Sequence, residues 1–368
     1  MSLYIGLMSG TSMDGIDAAL IDLSTNTFIH GITRPYSEHA QHYLQEALEK
    51  TRQEAGYFSQ LNSVLGAEFA LAALQVLSES NYSPNDITAI GSHGQTLCHN
   101  TSAKIPYTVQ SGCAHTIAEM TNITVVADFR TRDMVIGGQG APFAPLYHQE
   151  IFKEQGYPLA IVNIGGIANI TYLNNEKEVY GYDLGPGNCL MDAWILQHLG
   201  KHYDNCGEWA ASGKPVNLLL EALLHDEYFH RSAPKSVGKE YFSLRWLNDH
   251  IIGGYKSEDI QATLLYLTAL SIVNDIKTQN VPPEKLFICG GGAHNLALLN
   301  VLSQLLPEIK VQSSEVCNLN PDFIEAHMFA WLAEKALNRT PVDMTLITGA
   351  RHPTILGAIY PSGIDKRI

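Results

Sequence analysis

Leu3-Tyr-Ile-Gly-Leu-Met-Ser-Gly-Thr-Ser-Met-Asp-Gly-Ile-Asp-Ala-Ala-Leu-Ile-Asp-Leu23 holds two short apolar runs divided by a polar turn. Leu3–Ser9 and Ile16–Leu23 read as strands. Gly10-Thr-Ser-Met-Asp-Gly15 between them consists of turn formers, so the stretch predicts a β-hairpin. The pattern returns at Pro158-Leu-Ala-Ile-Val-Asn-Ile-Gly-Gly-Ile-Ala-Asn-Ile-Thr-Tyr-Leu173, again strand, glycine turn, strand. Identity between the two copies is weak, so what repeats is architecture. A chain of 368 residues is too long for one small core. The repeat therefore predicts two lobes, 1–150 and 151–368, hinged near 145–157. A return of the C-terminal segment to the first lobe stays open.

Between and after the hairpins, strand and helix patterns alternate, which places the chain in the α/β class. Leu61, Val64, Leu65, Phe69, Ala72, Ala73, Val76 and Leu77 fall at three- and four-residue steps, the apolar face of a helix. Short strands are expected at Ile87–Ser92, Ile123–Ala127, Val179–Leu184 and Leu286–Cys289. A long helix is expected over Ile260–Thr278. Another should open at Asn320-Pro321, a good N-cap followed by a good first helical residue.

Composition narrows the function classes. Apolar residues make up 45% and charged residues 16%, as in a folded globular protein. A formal charge of −14 argues against nucleic-acid backbones and anionic membranes as main partners. Phosphate-bearing small molecules stay possible, because backbone amides can hold them. The six scattered cysteines form no CxxC pair and read as reduced thiols. With no basic leader and no apolar run long enough to cross a bilayer, the expectation is a cytoplasmic protein.

Four glycine-rich turns follow strands: Ser9–Gly15, Gly137–Gly140, Gly165-Gly166 and Gly290–Gly292. Glycine lets backbone amides approach phosphate oxygens closely. None of these turns matches the Walker pattern or a clean GxGxxG, so a bound nucleotide would need another scaffold. Asp14, Asp17, Asp128 and Asp183 flank these turns or end strands, where a carboxylate can hold Mg²⁺ or act as a base. Asp183 immediately precedes Leu-Gly-Pro-Gly-Asn188. His93 and Arg130 follow short strands, and strand ends in α/β sheets tend to line a ligand crevice. For His93, lining a crevice and satisfying a buried backbone group weigh equally. Arg130 offers a planar fork suited to carboxylate or phosphate. Glu325 reads first as an acid stabilising a helix N-terminus.

Gly6–Asp17, Gly91-Ser-His-Gly-Gln-Thr96, Ala127-Asp-Phe-Arg130, Gly137-Gly-Gln-Gly-Ala-Pro142, Asn163–Asn169, Asp183-Leu-Gly-Pro-Gly-Asn188 and Cys289-Gly-Gly-Gly-Ala-His-Asn295 occur in order. This series resembles the anhydro-N-acetylmuramic acid kinases of bacterial cell-wall recycling, over nearly the whole chain. The resemblance implies two duplicated actin-like ATPase (ribonuclease H-like) lobes with an active-site cleft between them. It implies that Gly10, Thr11, Ser12, Met13, Asp14, Gly15, Ile16 and Asp17 wrap the ATP phosphates. Gly165, Gly166 and Asn169 would close on them from the second lobe, and Gly290, Gly291, Gly292 and Asn295 would lie near the adenosine. Gln95, Thr96 and Arg130 would contact the sugar, Asp14 would anchor Mg²⁺ through water, and the protein would be a homodimer.

The implied substrate is a 1,6-anhydro sugar, whose O6 is an ether oxygen without a proton. It becomes nucleophilic only as the C1–O6 bond breaks, so water must add at C1, as in an inverting glycosidase. That base is assigned to Asp183. The residues alone also admit a nucleotide-driven switch, a glycosidase without nucleotide, or a kinase of an ordinary hydroxyl sugar.

Overall fold

The computed structural model describes residues 1–10, 13, 15–48, 54–233, 235–238 and 240–363. It divides into two compact units, Met1–Ala144 joined by the chain from Phe323 onward, and Pro145–Asp322. The expected termini of the lobes were 150 and 151. The first unit is completed by a helix and a strand from the end of the chain.

In the first unit, β1 (Leu3–Ser9), β2 (Gly15–Asp22) and β3 (Thr27–Pro35) form an antiparallel meander. β4 (Ile87–Asn100) and β6 (Val125–Ala127) extend it on the β1 side in parallel. β5 (Tyr107–Ser111) pairs with the far end of β4, and β12 (Ala358–Tyr360) closes the edge beside β6. In the second unit, β7 (Leu159–Ile164), β8 (Ile167–Asn175) and β9 (Glu178–Pro186) repeat the meander. β10 (Lys285–Cys289) and β11 (Lys310–Ser313) extend that sheet in parallel beside β7. The two sheet orders, β3-β2-β1-β4-β6 and β9-β8-β7-β10-β11, are one topology used twice.

Alternation along β1 sends Leu3, Ile5 and Leu7 to the face covered by the helix Ala55–Ser78. That helix is long and apolar enough to cross a bilayer by those two measures alone. Its Leu61, Leu65, Phe69, Ala73 and Val76 are fully buried in the lobe, however, and it serves as a core helix. Gly6 lies on the opposite face, in register with Gly91 of β4. A Cβ on Gly6 would fall on the main-chain carbonyl of Ala326, and one on Gly91 on that of Phe329. The two glycines thus let the helix Ile324–Leu337 lie with its backbone directly on the sheet.

That helix begins later than the sequence suggests. Pro321–Phe323 forms a single 3₁₀ turn, with Asn320 Oδ1 accepting from the Asp322 amide at 3.0 Å. β4 also runs well past Ser92, because β5 supplies a partner for its distal half.

Backbone cannot move aside as a flexible side chain can. Gly6→Ala is expected to cost about 3 kcal/mol or more in urea unfolding, the upper end for overpacking. Gly56→Ala is the control: its Cβ meets nothing within 4 Å. It should be neutral or stabilising by up to about 1 kcal/mol. Equal effects would contradict the close helix–sheet contact.

Candidate active site

Each lobe carries one cluster of polar groups beside its hairpin. In the first lobe the turn after β1 is tied down at its base. Ser9 Oγ lies 2.7 Å from the Gly15 carbonyl and 2.8 Å from Gln95 Oε1, two acceptors that share its one proton, while Tyr36 Oη donates to Ser9 Oγ at 2.9 Å. Gln95 Nε2 donates to the Gly10 carbonyl at 3.1 Å. Gln95, expected to contact the sugar, is fully buried and has both ends of its amide committed to this turn. Thr96 is half-buried, and its Oγ1 accepts from Gln110 at 3.2 Å. Met13 has a positive φ of 57° and donates its amide to the Gly10 carbonyl at 3.3 Å. Thr11, Ser12 and Asp14 lie outside the described residues. Ile16 is a core residue of β2, whereas Asp17 is partly exposed and accepts from Thr33 Oγ1 at 2.6 Å.

Asp17 is one of a group that also includes Glu325, Arg130 and His93. Crowding by protein raises the Glu325 carboxyl above its ordinary pKa, the Asp17 charge raises it further, and Arg130 opposes. Glu325 does sit in the first helical turn, as expected, but it also faces this charged group. Burial lowers the Arg130 pKa to about 10, against the pull of Glu325. Arg130 Nε donates to His93 Nε2 at 3.0 Å.

Asp128 takes a left-handed conformation and caps the helix Phe129–Val135 that carries Arg130. Asp133, on that same helix, is fully buried. It accepts from the Gly140 amide at 2.7 Å and from Thr348 Oγ1 at 2.9 Å, fixing the Gly137–Gly140 turn. A Cβ on Gly138 would collide with that carboxylate.

In the second lobe, Gly165 and Gly166 join β7 to β8. The amides of Asn188 and Gly187 donate to their carbonyls at 2.8 and 2.9 Å. A Cβ at either glycine would meet protein only at 3.8 Å, so the lobe itself does not demand glycine there. Room for something brought close to the backbone is what remains. Asn169 on β8 is the register partner of Asp183 on β9, and such pairs share a face of the sheet.

Asp183 is fastened on its main-chain side by the Lys235 carbonyl at 3.1 Å and the Tyr228 hydroxyl at 2.9 Å. Its carboxylate accepts from the Val237 amide at 3.0 Å. Burial pushes its pKa up to about 6, with the Val237 hydrogen bond opposing.

Further along the same lobe, Gly290, Gly291 and Gly292 follow β10. Gly290 has a φ of 72°, and a Cβ on it would strike Asn163; one on Gly292 would strike Ile164. Gly291 faces open space beside Asn188. Asn295 is buried and caps the next helix, accepting from the Leu298 amide at 3.0 Å. Gly291 and Asn295 border a cavity of about 660 Å³, open to solvent and lined also by Asp192, Tyr203, Cys206 and Glu315. The size suits a small organic ligand. Sequence reading missed this far wall. Its one local signal is the tight turn Asp204-Asn-Cys-Gly207, where Cys206 has a φ of 55° and Gly207 of 72°.

Comparison with known proteins decides the family. A model of the family described as anhydro-N-acetylmuramic acid kinase matches residues 2–362. The chain belongs to the anhydro-N-acetylmuramic acid kinase family. A relative of that name from Legionella pneumophila (strain Corby) is 54% identical over 98% of this chain and 99% of its own. Another from Coxiella burnetii (strain Dugway 5J108-111) is 43% identical over 97% of each. Component A of the (R)-2-hydroxyglutaryl-CoA dehydratase of Acidaminococcus fermentans shares the fold, with a TM-score of 0.50 at 12% identity over 90% of this chain and 98% of that one. The duplicated lobes are those of the actin-like ATPase fold, and this family member is an ATP-dependent sugar kinase.

The raised pKa of Asp183 has a consequence for stability. The folded protein holds this proton more tightly than the unfolded chain, whose carboxyl titrates near 3.8. Folding stability is therefore lost as pH rises from about 4 to about 6 and stays lost above, by at most about 3 kcal/mol. Asp183→Asn should accordingly be more stable than the wild type, by more at pH 8 than at pH 5 in thermal unfolding. A variant that is less stable at pH 8 would show the carboxylate to be well compensated.

Proposed function

We propose that the enzyme opens 1,6-anhydro-N-acetylmuramic acid with water and transfers the γ-phosphoryl group of ATP to O6. The products are N-acetylmuramic acid 6-phosphate and ADP, and the process belongs to peptidoglycan recycling. The environment of Asp183 carries this reading: a carboxylate on a rigid strand with a single described hydrogen bond and a pKa of about 6. Near neutral pH it is ionised and still basic enough to take a proton from water, which a solvated aspartate at 3.8 would do poorly.

Water attacks C1 as Asp183 takes its proton, and the C1–O6 electron pair passes to O6. O6 attacks the γ-phosphorus and ADP leaves, so the phosphoryl group takes the place of a general acid. Gly10–Asp17 and the Gly165-Gly166 turn are assigned to the phosphates, with Asn169 beside Asp183. The cavity beside Gly290–Gly292 and Asn295 is assigned to the adenosine, on its volume and open glycine face. Arg130 is assigned to the sugar, whose lactyl carboxylate calls for a cation, and Thr96 to the same ligand. Gln95 would serve that site by holding the turn.

Mg²⁺ would ride on the triphosphate and neutralise charge on the transferred group, with Asp14 as a water-mediated anchor. Among the described residues no group of three His, Cys, Asp or Glu side chains could hold a metal ion. The reading extends to a homodimer, as family membership implies, and to a cytoplasmic location, which six free thiols favour.

Asp183→Asn should bind nucleotide normally yet lose turnover by about 10³-fold or more. The wild-type rate should fall along an acid limb near pH 6. Turnover within a few-fold of normal in the variant would remove Asp183 from the role of base.

A further inference from the structure

His93 belongs to a motif that the proposed chemistry leaves without a task. Strand β4 is irregular where it carries this residue: its register against β1 shifts between Leu7 and Ser9, and Gly94 takes a φ of 75°. The ring is 4% exposed and packs on Phe329 of the helix Ile324–Leu337, with centroids 4.7 Å apart. It is not a crevice-lining group.

Its Nε2 lies 3.0 Å from Arg130 Nε, and an arginine N–H can only donate. The imidazole is therefore neutral, with its proton on Nδ1. Burial first, and the Arg130 charge second, hold its pKa well below the ordinary value, while main-chain groups of Gly94 and Ser9 pull more weakly the other way. The acceptor is thus present throughout the working pH range.

The rest of the guanidinium is held loosely or left open. Nη1 reaches the Gly140 carbonyl at 3.4 Å, and the central carbon lies 5.8 Å from the centre of the Phe143 ring. Nη2 has no hydrogen-bond partner among the described residues. An arginine fixed at Nε and open at its far end is prepared to take a planar anion.

We infer that His93 is a positioning residue for Arg130, accepting its Nε–H so that the open end of the fork is held for the lactyl carboxylate of the sugar. The inference rests on the reading that Arg130 meets the sugar. Without His93 the guanidinium would have to find its binding geometry anew for each substrate molecule, a cost that falls on sugar affinity.

The test compares His93→Leu, His93→Gln and Arg130→Lys in steady-state kinetics with 1,6-anhydro-N-acetylmuramic acid and MgATP. His93→Leu should raise the sugar KM about 10-fold or more, the scale of one hydrogen bond to a charged group. The KM for ATP should stay within about 2-fold, because ATP does not depend on this contact. His93→Gln, whose Oε1 can accept the same N–H, should recover most of the loss. In an Arg130→Lys background, His93→Leu should add little. Should the leucine variant not fold, His93→Met, apolar and of similar length, takes its place. An unchanged sugar KM in the folded apolar variant, or a glutamine variant as poor as leucine, overturns the inference alone when Arg130→Lys does raise the sugar KM. An Arg130→Lys enzyme with normal sugar KM overturns the underlying reading and the inference with it.

Discussion

The contact on which the first lobe depends is backbone against backbone. Gly6 and Gly91, paired in register, leave no side chains between sheet and helix, and the carbonyls of Ala326 and Phe329 occupy the space. A helix seated that closely has little freedom to slide, so the residues on it are placed firmly. Phe329 sits under His93, His93 holds Arg130, and Glu325 faces Arg130 and Asp17. A segment from the end of the chain thereby fixes groups read from its first third.

Glycines in this protein serve two separate ends, and a Cβ test distinguishes them. Gly6, Gly91, Gly290 and Gly292 are demanded by protein atoms that a Cβ would strike. Gly165, Gly166 and Gly291 have no such neighbour closer than 3.5 Å. Close packing accounts for the first group; the second leaves room beside the backbone, as the proposed phosphate and nucleotide contacts need.

Much of this was legible in the sequence because it is local. Turn formers between apolar runs gave both hairpins, three- and four-residue spacing gave the helix from Leu61 to Leu77, and Asp183 stood out by its neighbours. What escaped depends on contacts distant in sequence. The resemblance implies that Gln95 contacts the sugar, but Ser9 and Gly10, some 85 residues earlier, use its amide. Nothing local marks Gly6 as the seat of the Ala326 carbonyl, which comes from 320 residues further on. The far wall of the 660 Å³ cavity comes from a turn with no ligand-like pattern. Asn320-Pro321 correctly marked a helix start, yet the chain makes a 3₁₀ turn before the α-helix proper.

In the proposed reaction, hydrolysis at C1 and phosphoryl transfer to O6 are one coupled event with Asp183 as base. This coupling is tested most directly by turning over 1,6-anhydro-N-acetylmuramic acid with MgATP in ¹⁸O-water and analysing the sugar by mass spectrometry. The coupled reaction yields a product that has gained one phosphoryl group and one water, with ¹⁸O at C1 and none in the phosphate. Label in the phosphate and not at C1, or phosphorylation of a sugar whose anhydro ring stays closed, would contradict it.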